Sequence, residues 1–240
     1  MIVKHTLVWG GQINGKVVRE VELEPPASNA ILLLDQYRES PVTFIKELLA
    51  SSTRSIGGNR VERDVAERFW RTVKFPDGQF ALIKLVSPNW PEEESVMQPC
   101  ICLRGHVSQV KVSLAEFKIT DDVSKDFSVS ISPFEPEPGR IITRIDGEIA
   151  SLEQEESLQG YTKDERHNEA ALRRIAMTCN APEHPDFTLA LGHVFKLPAP
   201  SRKKITAAIY AKQILDLTIR GNCSQCPLPA EGLLNFADFL

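Results

Sequence analysis

The chain has 240 residues and a formal net charge of −4, with 42% hydrophobic and 25% charged residues. This composition is typical of a globular protein of one or two domains with a buried core, and the charge balance opposes a broad nucleic-acid-binding face. The longest apolar runs fall far short of the roughly 20 residues that cross a bilayer, so we expect no membrane contact.

We predict a cytoplasmic protein. The N-terminus lacks the charged start and long apolar centre of a signal peptide. The five cysteines are odd in number and spread over a large chain, which favours cytosolic thiols or metal ligands over a disulfide framework.

The first half of the chain begins with a predicted β-hairpin and continues with helices. Residues 2–24 alternate apolar and polar positions around Asn14-Gly15, a dipeptide that suits a tight turn. Residues 28–38 are expected to form a short helix. Ser40-Pro41 begins a second helix, and residues 62–73 show the apolar spacing of a third.

The next segments lead to the first cysteines. Periodicity alone cannot separate helix from strand in the apolar run from Phe80 to Val86, and we assign it to a helix because Asp77 is expected to cap it. Residues 88–99 are rich in Pro and Glu and are predicted to form a loop.

The second half shows the same mixture of patterns. Residues 127–131 alternate as a half-buried strand does, and Asp146-Gly147 is a second signal for a tight turn. Helices are predicted over 163–178 and 202–215, and the alternation of Phe187, Leu189 and Leu191 predicts a strand between them.

The predicted elements describe an α+β fold with an N-terminal β-hairpin and two similar halves. Each half has the order helix, helix, strand, cysteine turn, strand, which suggests an internal duplication; convergent patterning is the alternative. We divide the chain into residues 1–120 (hairpin and first half), 121–160 (a β-rich linker region) and 161–240 (second half, with a Cys-x-x-Cys turn).

The cysteine turns are candidate halves of one tetrahedral metal site. Zinc is commonly held by two cysteine pairs from separate hairpins, so we predict a structural zinc ion ligated by Cys100, Cys102, Cys223 and Cys226. The Cys-x-Cys spacing of the first pair is not the usual one, and His106 is a possible substitute ligand. The alternative is a metal-free turn in which the thiols pack as small apolar groups.

The sequence indicates no enzyme. The histidines lack metal-ligand spacing, and the glycine pairs lack a phosphate-binding pattern. A thiol hydrolase that uses Cys179 with His184 or His193 is the one catalytic alternative, and it rests on residue types alone.

Four stretches together resemble a known family. They are VTFIKELLASSTRSIGG, KFPDGQFALIKL and QPCICLRGHVSQVKVSLAEF in the first half, and LDLTIRGNCSQCPLPAEGLLNFADFL at the end. They resemble the baseplate hub and hub-assembly proteins of contractile-tailed phages of the T-even type, with relatives in phage-like contractile injection systems. The resemblance covers residues 1–120 and 170–240.

In that family a helix that ends in a glycine pair precedes an apolar helix begun by Asp, and a Cys-x-x-Cys turn and a strand follow. The matching positions in this chain are Gly57, Gly58, Asp77, Cys100, Cys102, Cys223 and Cys226. The chain departs from the pattern in its first turn, which is Cys-x-Cys, and in Pro227 after the second.

The resemblance implies a structural or assembly component of a contractile-tail baseplate, with other baseplate, hub or tube proteins as partners and no reaction. Such a protein would act in the host-cell cytosol during assembly or stay in the particle. The predicted contact residues are Trp90, Phe236, Phe239 and Leu240, because a polar loop and a chain end seldom leave such side chains bare. Ordinary core packing is their alternative.

The competing function is a zinc-ribbon module that binds nucleic acid. The cysteine pairs favour it and the acidic charge balance opposes it.

Overall fold

The computed structural model describes residues 2–25, 33, 36–37, 39–89, 94–102, 105–112, 117, 124–163, 166–212 and 217–233. Helices and strands are mixed along these residues, which confirms the predicted α+β class. The strands are β1 (Val3–Ile13), β2 (Lys16–Leu23), β3 (Thr53–Ile56), β4 (Asn59–Arg60), β5 (Glu94–Pro99), β6 (Val107–Val112), β7 (Asp126–Glu137), β8 (Arg140–Glu148), β9 (Cys179–Asn180), β10 (Thr218–Asn222) and β11 (Pro229–Leu233). The helices are α1 (Pro41–Ser52), α2 (Arg63–Thr72), α3 (Phe75–Val86), α4 (Leu152–Lys163), α5 (His167–Thr178), α6 (Leu191–Lys196) and α7 (Ala199–Tyr210). None of the described helices is long and apolar enough to cross a membrane.

The N-terminal hairpin is confirmed. Asn14 and Gly15 form its turn with φ angles of 49° and 75°, the left-handed conformation that this dipeptide adopts readily. The sheet continues from β2 to β3 and β4, all antiparallel. Helices α2 and α3 pack on β1 and α1 packs on both helices, around a buried cluster that includes Phe69 and Trp70.

A break in the pairing of β1 with β2 frees backbone donors that Asp77 accepts. The register shifts between Thr6 and Gly11. The carboxylate of Asp77 is fully buried and accepts the N–H groups of residues 8–10 at 2.8, 2.9 and 3.2 Å. A buried N–H group without a partner costs free energy of folding. The Asp77 carboxylate supplies the missing acceptors and so stabilises the irregular part of β1.

The prediction that Asp77 caps α3 is wrong. The run from Phe80 to Val86 is helical, as predicted, but the N-cap position is Lys74 and Asp77 lies in the first turn. Asp77 therefore does not cap the helix. It joins α3 to β1 instead.

His5, on β1, is buried against apolar groups. Its ring packs edge-on against Phe80, with centroids 5.2 Å apart, and its Nε2 has no hydrogen-bond partner among the described residues. Burial, and then the positive charge of Lys84, lowers the pKa of His5 from 6.5 to about 4.

The free energy of unfolding should therefore fall on acidification through His5. Above pH 6.5 the ring is neutral in both states. Between pH 6.5 and about 4 the unfolded chain binds a proton that the folded chain excludes, so folding loses up to about 3 kcal/mol. Urea unfolding at a series of pH values should show this slope removed in His5→Phe, and an unchanged slope would contradict the assignment.

The second sheet contains β7, β8 and β9 and packs with α5, α6 and α7 around another buried cluster. The turn predicted at Asp146-Gly147 is wrong, because both residues lie inside β8 and the hairpin turns at Gly139, where φ is 78°. A Cβ on Gly147 would lie 2.5 Å from Phe127 and 2.9 Å from Cys179 Sγ. This glycine permits close packing and does not form a turn.

The strand predicted from Phe187, Leu189 and Leu191 is also wrong. Residues 187–190 have no regular structure, and Leu191 begins α6. Phe187 and Leu189 are both buried in the second cluster. The alternation therefore reflects burial of an irregular segment.

Two hairpins, β5–β6 and β10–β11, face each other and form what we call the hairpin module, together with their cysteine turns. β5 lies in the stretch that was predicted to be a loop. The apolar side chains between the hairpins continue onto Phe80 and Ile83 of α3. A Cβ on Gly221 would lie 2.7 Å from Val110, and one on Gly232 would overlap the side chain of Gln98, so both glycines permit the close approach of the hairpins.

The order of elements recurs in the described residues. The first series is α2, α3, β5, cysteine turn, β6, and the second is α6, α7, β10, cysteine turn, β11. This order does not establish common ancestry, and the duplication stays a prediction. The predicted helix over 28–38 falls largely outside the described residues.

Candidate metal centre

The two cysteine turns meet at one end of the hairpin module. Cys100 follows β5 and forms an isolated bridge with Ala230 of β11. Its N–H donates to the carbonyl of His106 at 2.8 Å, and the N–H of Cys223 donates to the carbonyl of Leu228 at 3.2 Å. These hydrogen bonds close each turn. The bridge from Cys100 to Ala230 joins the two turns, so that side chains more than 100 residues apart in sequence lie at one point.

The ligand atoms of Cys100, His106, Cys223 and Cys226 all lie within 4.8 Å of one another. The Sγ atoms of Cys100 and Cys226 are 3.4 Å apart, and Cys223 Sγ is 3.8 Å from Nδ1 of His106. In a tetrahedral zinc site with Zn–S bonds of about 2.3 Å, ligand atoms are separated by about 3.8 Å. The group is therefore close enough to hold a metal ion, and its chemistry is compatible with zinc.

Backbone and hydroxyl donors surround the sulfurs. The N–H of Cys102 lies 3.4 Å from Cys100 Sγ, and the N–H of Gln225 lies 3.4 Å from Cys223 Sγ. Ser224 donates its N–H to the hydroxyl of Ser108 on β6 at 3.0 Å. Donors of this kind favour the thiolate, which is the form of cysteine that binds metal.

The pKa values of the cysteines shift in opposite directions. Hydrogen bonds, first from Ser108 and then from the N–H of Gln225, lower the pKa of the Cys223 thiol to about 6. Burial raises the pKa of the Cys100 thiol to about 12. Because neighbouring thiolates repel each other, these groups do not all ionise together without a cation. A bound divalent ion would remove that conflict.

Comparison of the chain with models of known protein families, with curated proteins and with solved structures finds no match. The residues and their geometry therefore carry the functional argument.

Three of the predicted metal ligands lie in the group of four, and His106 completes it. The turn reaches His106 through Gly105, whose φ of 71° suits a glycine. Cys102 lies beside the group, with its Sγ 3.4 Å from His106 Nδ1. The sequence indicates His106 only as a possible substitute ligand. The unusual Cys-x-Cys spacing of the first pair was the feature that pointed to it.

The predicted contact residues Trp90, Phe236, Phe239 and Leu240 lie outside the described residues. Cys179 lines a cavity of about 660 Å³ beside β8. Burial raises the pKa of its thiol to about 11, which disfavours the nucleophilic thiolate. His184 contacts the carbonyl of Ile141, and His193 packs on Phe187, so each proposed histidine partner has other contacts.

Proposed function

We propose that the chain is a structural or assembly component of a contractile-tail baseplate, in which a structural zinc ion joins the two hairpins of the module and the protein acts through protein–protein contacts. The observation that carries this proposal is the group of Cys100, His106, Cys223 and Cys226. These residues include three of the cysteines through which the sequence resembles baseplate hub and hub-assembly proteins.

The ligand set supports a structural role for the ion. Four protein ligands complete a tetrahedral zinc site and leave no position for water or substrate. Each hairpin is a two-stranded sheet, and isolated hairpins are marginally stable in water. A metal ion at their junction would supply stability that the small core between them lacks.

The surface of the hairpin module supports a role in protein contacts. Met97 and Val107 lie on the outer face of β5–β6 and are 60% and 44% exposed. Ile101 and Leu228, in the two cysteine turns, are also exposed. Large exposed apolar side chains grouped on one element are typical of surfaces that another protein covers. We propose that baseplate or hub proteins cover this one.

Loss of the protein should stop assembly of contractile particles. The gene would be deleted from the genome that carries it and replaced with wild type or with Met97→Glu plus Val107→Glu. We expect electron microscopy to show sheathed particles with wild type and few or none with the deletion or the double variant, because buried charges disrupt an apolar interface. Val17→Glu, at another exposed apolar position, is the control and should support assembly. Normal particle numbers in the deletion strain would overturn the proposal.

A zinc-ribbon module that binds nucleic acid is the second candidate function, and the observation that favours it is that both ligand pairs lie on hairpins. It requires nucleic-acid binding by the hairpin module, with the strong salt dependence of phosphate contacts. A gel-shift titration with duplex DNA and single-stranded RNA at low and high salt tests it directly. Salt-dependent binding that is lost when the described cations of the module, Lys111 and Arg220, are both changed to Glu would favour this alternative over the baseplate proposal.

A further inference from the structure

A groove lies between α5 and α7, in the second cluster and away from the residues of the hairpin module. Its volume is about 600 Å³. Ala171 and Leu172 of α5 and Ala207 of α7 give it an apolar lining, and Tyr210, which is 53% exposed, lies at the same surface. Arg202 and Lys203 complete the lining, so the groove combines an apolar floor with a cationic side.

The cations on this side of the groove are not paired with acidic side chains among the described residues. Arg202 and Lys203 are the two cations that line the groove, and neither forms an ion pair with an acid in the part of the chain that the structure describes. The nearby acid of α5, Glu169, is already bound by Arg173 at 2.8 Å. The groove therefore presents uncompensated positive charge.

We propose that this groove binds an acidic amphipathic segment of a partner protein. A helix docked in a groove buries apolar side chains at i, i+3 or i+4, and i+7, and a lining of Ala and Leu carbons can accept them. Carboxylates on the same segment would pair with Arg202 and Lys203. A nucleic acid would use the cations but would leave the aliphatic floor uncovered by apolar groups, which is why a peptide is the better fit. The groove shares no residue with the metal centre, so this proposal does not depend on zinc or on the baseplate.

The preference of the groove for acidic amphipathic peptides can be tested by selection from a phage-displayed library of random peptides, which assumes no particular partner. The peptides should have about 15 residues, a length near the limit of stable isolated helices. Wild-type protein is the target, and Arg202→Glu with Lys203→Glu is used for counter-selection. We expect enriched peptides to combine Asp or Glu with Leu, Ile or Phe at helical spacing. Enriched peptides without an excess of acidic residues would overturn the proposal.

The strongest enriched peptide, labelled with fluorescein, then measures affinity by anisotropy. We expect binding to weaken at least about tenfold in the Arg202→Glu, Lys203→Glu variant, and about as much in Ala207→Trp, which fills the groove at an exposed position. Lys16→Glu with Arg60→Glu also reverses two charges, at exposed positions elsewhere, and should bind as wild type does.

Equal weakening in the Lys16, Arg60 control would show general charge attraction and overturn the proposal. So would unchanged binding in Ala207→Trp. Tighter binding of a labelled single-stranded oligonucleotide than of the peptide at the same salt concentration would reassign the cationic side to nucleic acid.

Discussion

Replacing Cys223 with Ser should release the metal and unfold the hairpin module while the N-terminal sheet stays folded. Hydrogen bonds lower the pKa of the Cys223 thiol to about 6, so this thiol is ionised at neutral pH and can bind a metal ion without first losing a proton. We expect zinc affinity to fall by about 100-fold or more, because loss of a direct ligand exceeds the 10- to 100-fold effect of supporting residues. Hydrogen exchange should then show loss of protection in β5, β6, β10 and β11.

The matched control is Cys102→Ser. Cys102 lies beside the group of four but outside it, so we expect a change in zinc affinity of less than about tenfold and normal protection of the module. His106→Ala should resemble Cys223→Ser. If Cys102→Ser released zinc and His106→Ala did not, the ligand set would be the four cysteines and the set proposed here would be wrong.

Asp77→Asn should be the most destabilising conservative substitution in the N-terminal part of the fold. The amide has the shape of the carboxylate but only one acceptor oxygen, while three backbone N–H groups point at this side chain. At least one N–H of β1 would face the donor NH₂ group in a fully buried site. We expect a loss of about 2–4 kcal/mol in the free energy of unfolding, measured by urea denaturation.

Asp64→Asn is the control for that measurement. Asp64 also lies in the first turn of a helix, but its side chain is 71% exposed and pairs with Arg68 on the surface. Its substitution should cost less than about 0.5 kcal/mol. A similarly small cost for Asp77→Asn would show that the β1 donors find other partners, and the role assigned to Asp77 would be wrong.

Part of the candidate metal site could be predicted from the sequence, because the spacing of cysteines indicates whether they can bind one metal ion. Cys223 and Cys226 have the spacing of a metal-binding turn, and that pair pointed to the site. The choice between Cys102 and His106 depends on a backbone turn at Gly105 and on contacts across more than 100 residues, which periodicity does not contain. The sequence therefore indicated the position of the candidate centre and three members of the group, but it named Cys102 as the fourth ligand and His106 only as a substitute.

The predictions about the fold also succeeded where local sequence determines the structure and failed where tertiary contacts do. The Asn14-Gly15 hairpin was predicted correctly because local turn chemistry determines it. The helical assignment of Phe80 to Val86 was also correct, but it rested on a cap by Asp77 that the structure does not contain. Gly147 looked like a turn residue, yet it is a glycine because Phe127 and Cys179 leave no room for a side chain. Asp77 looked like a cap, yet its partners are in a distant strand. In both cases tertiary contact, not local preference, sets the residue type.

Native mass spectrometry of the purified chain is the most direct test of the central claim. We expect one zinc ion per chain in the wild-type protein, retained in Cys102→Ser and absent from Cys223→Ser and His106→Ala. A metal-free wild-type chain that stays metal-free after incubation with zinc, and whose hairpin module is nevertheless fully protected from hydrogen exchange, would contradict it.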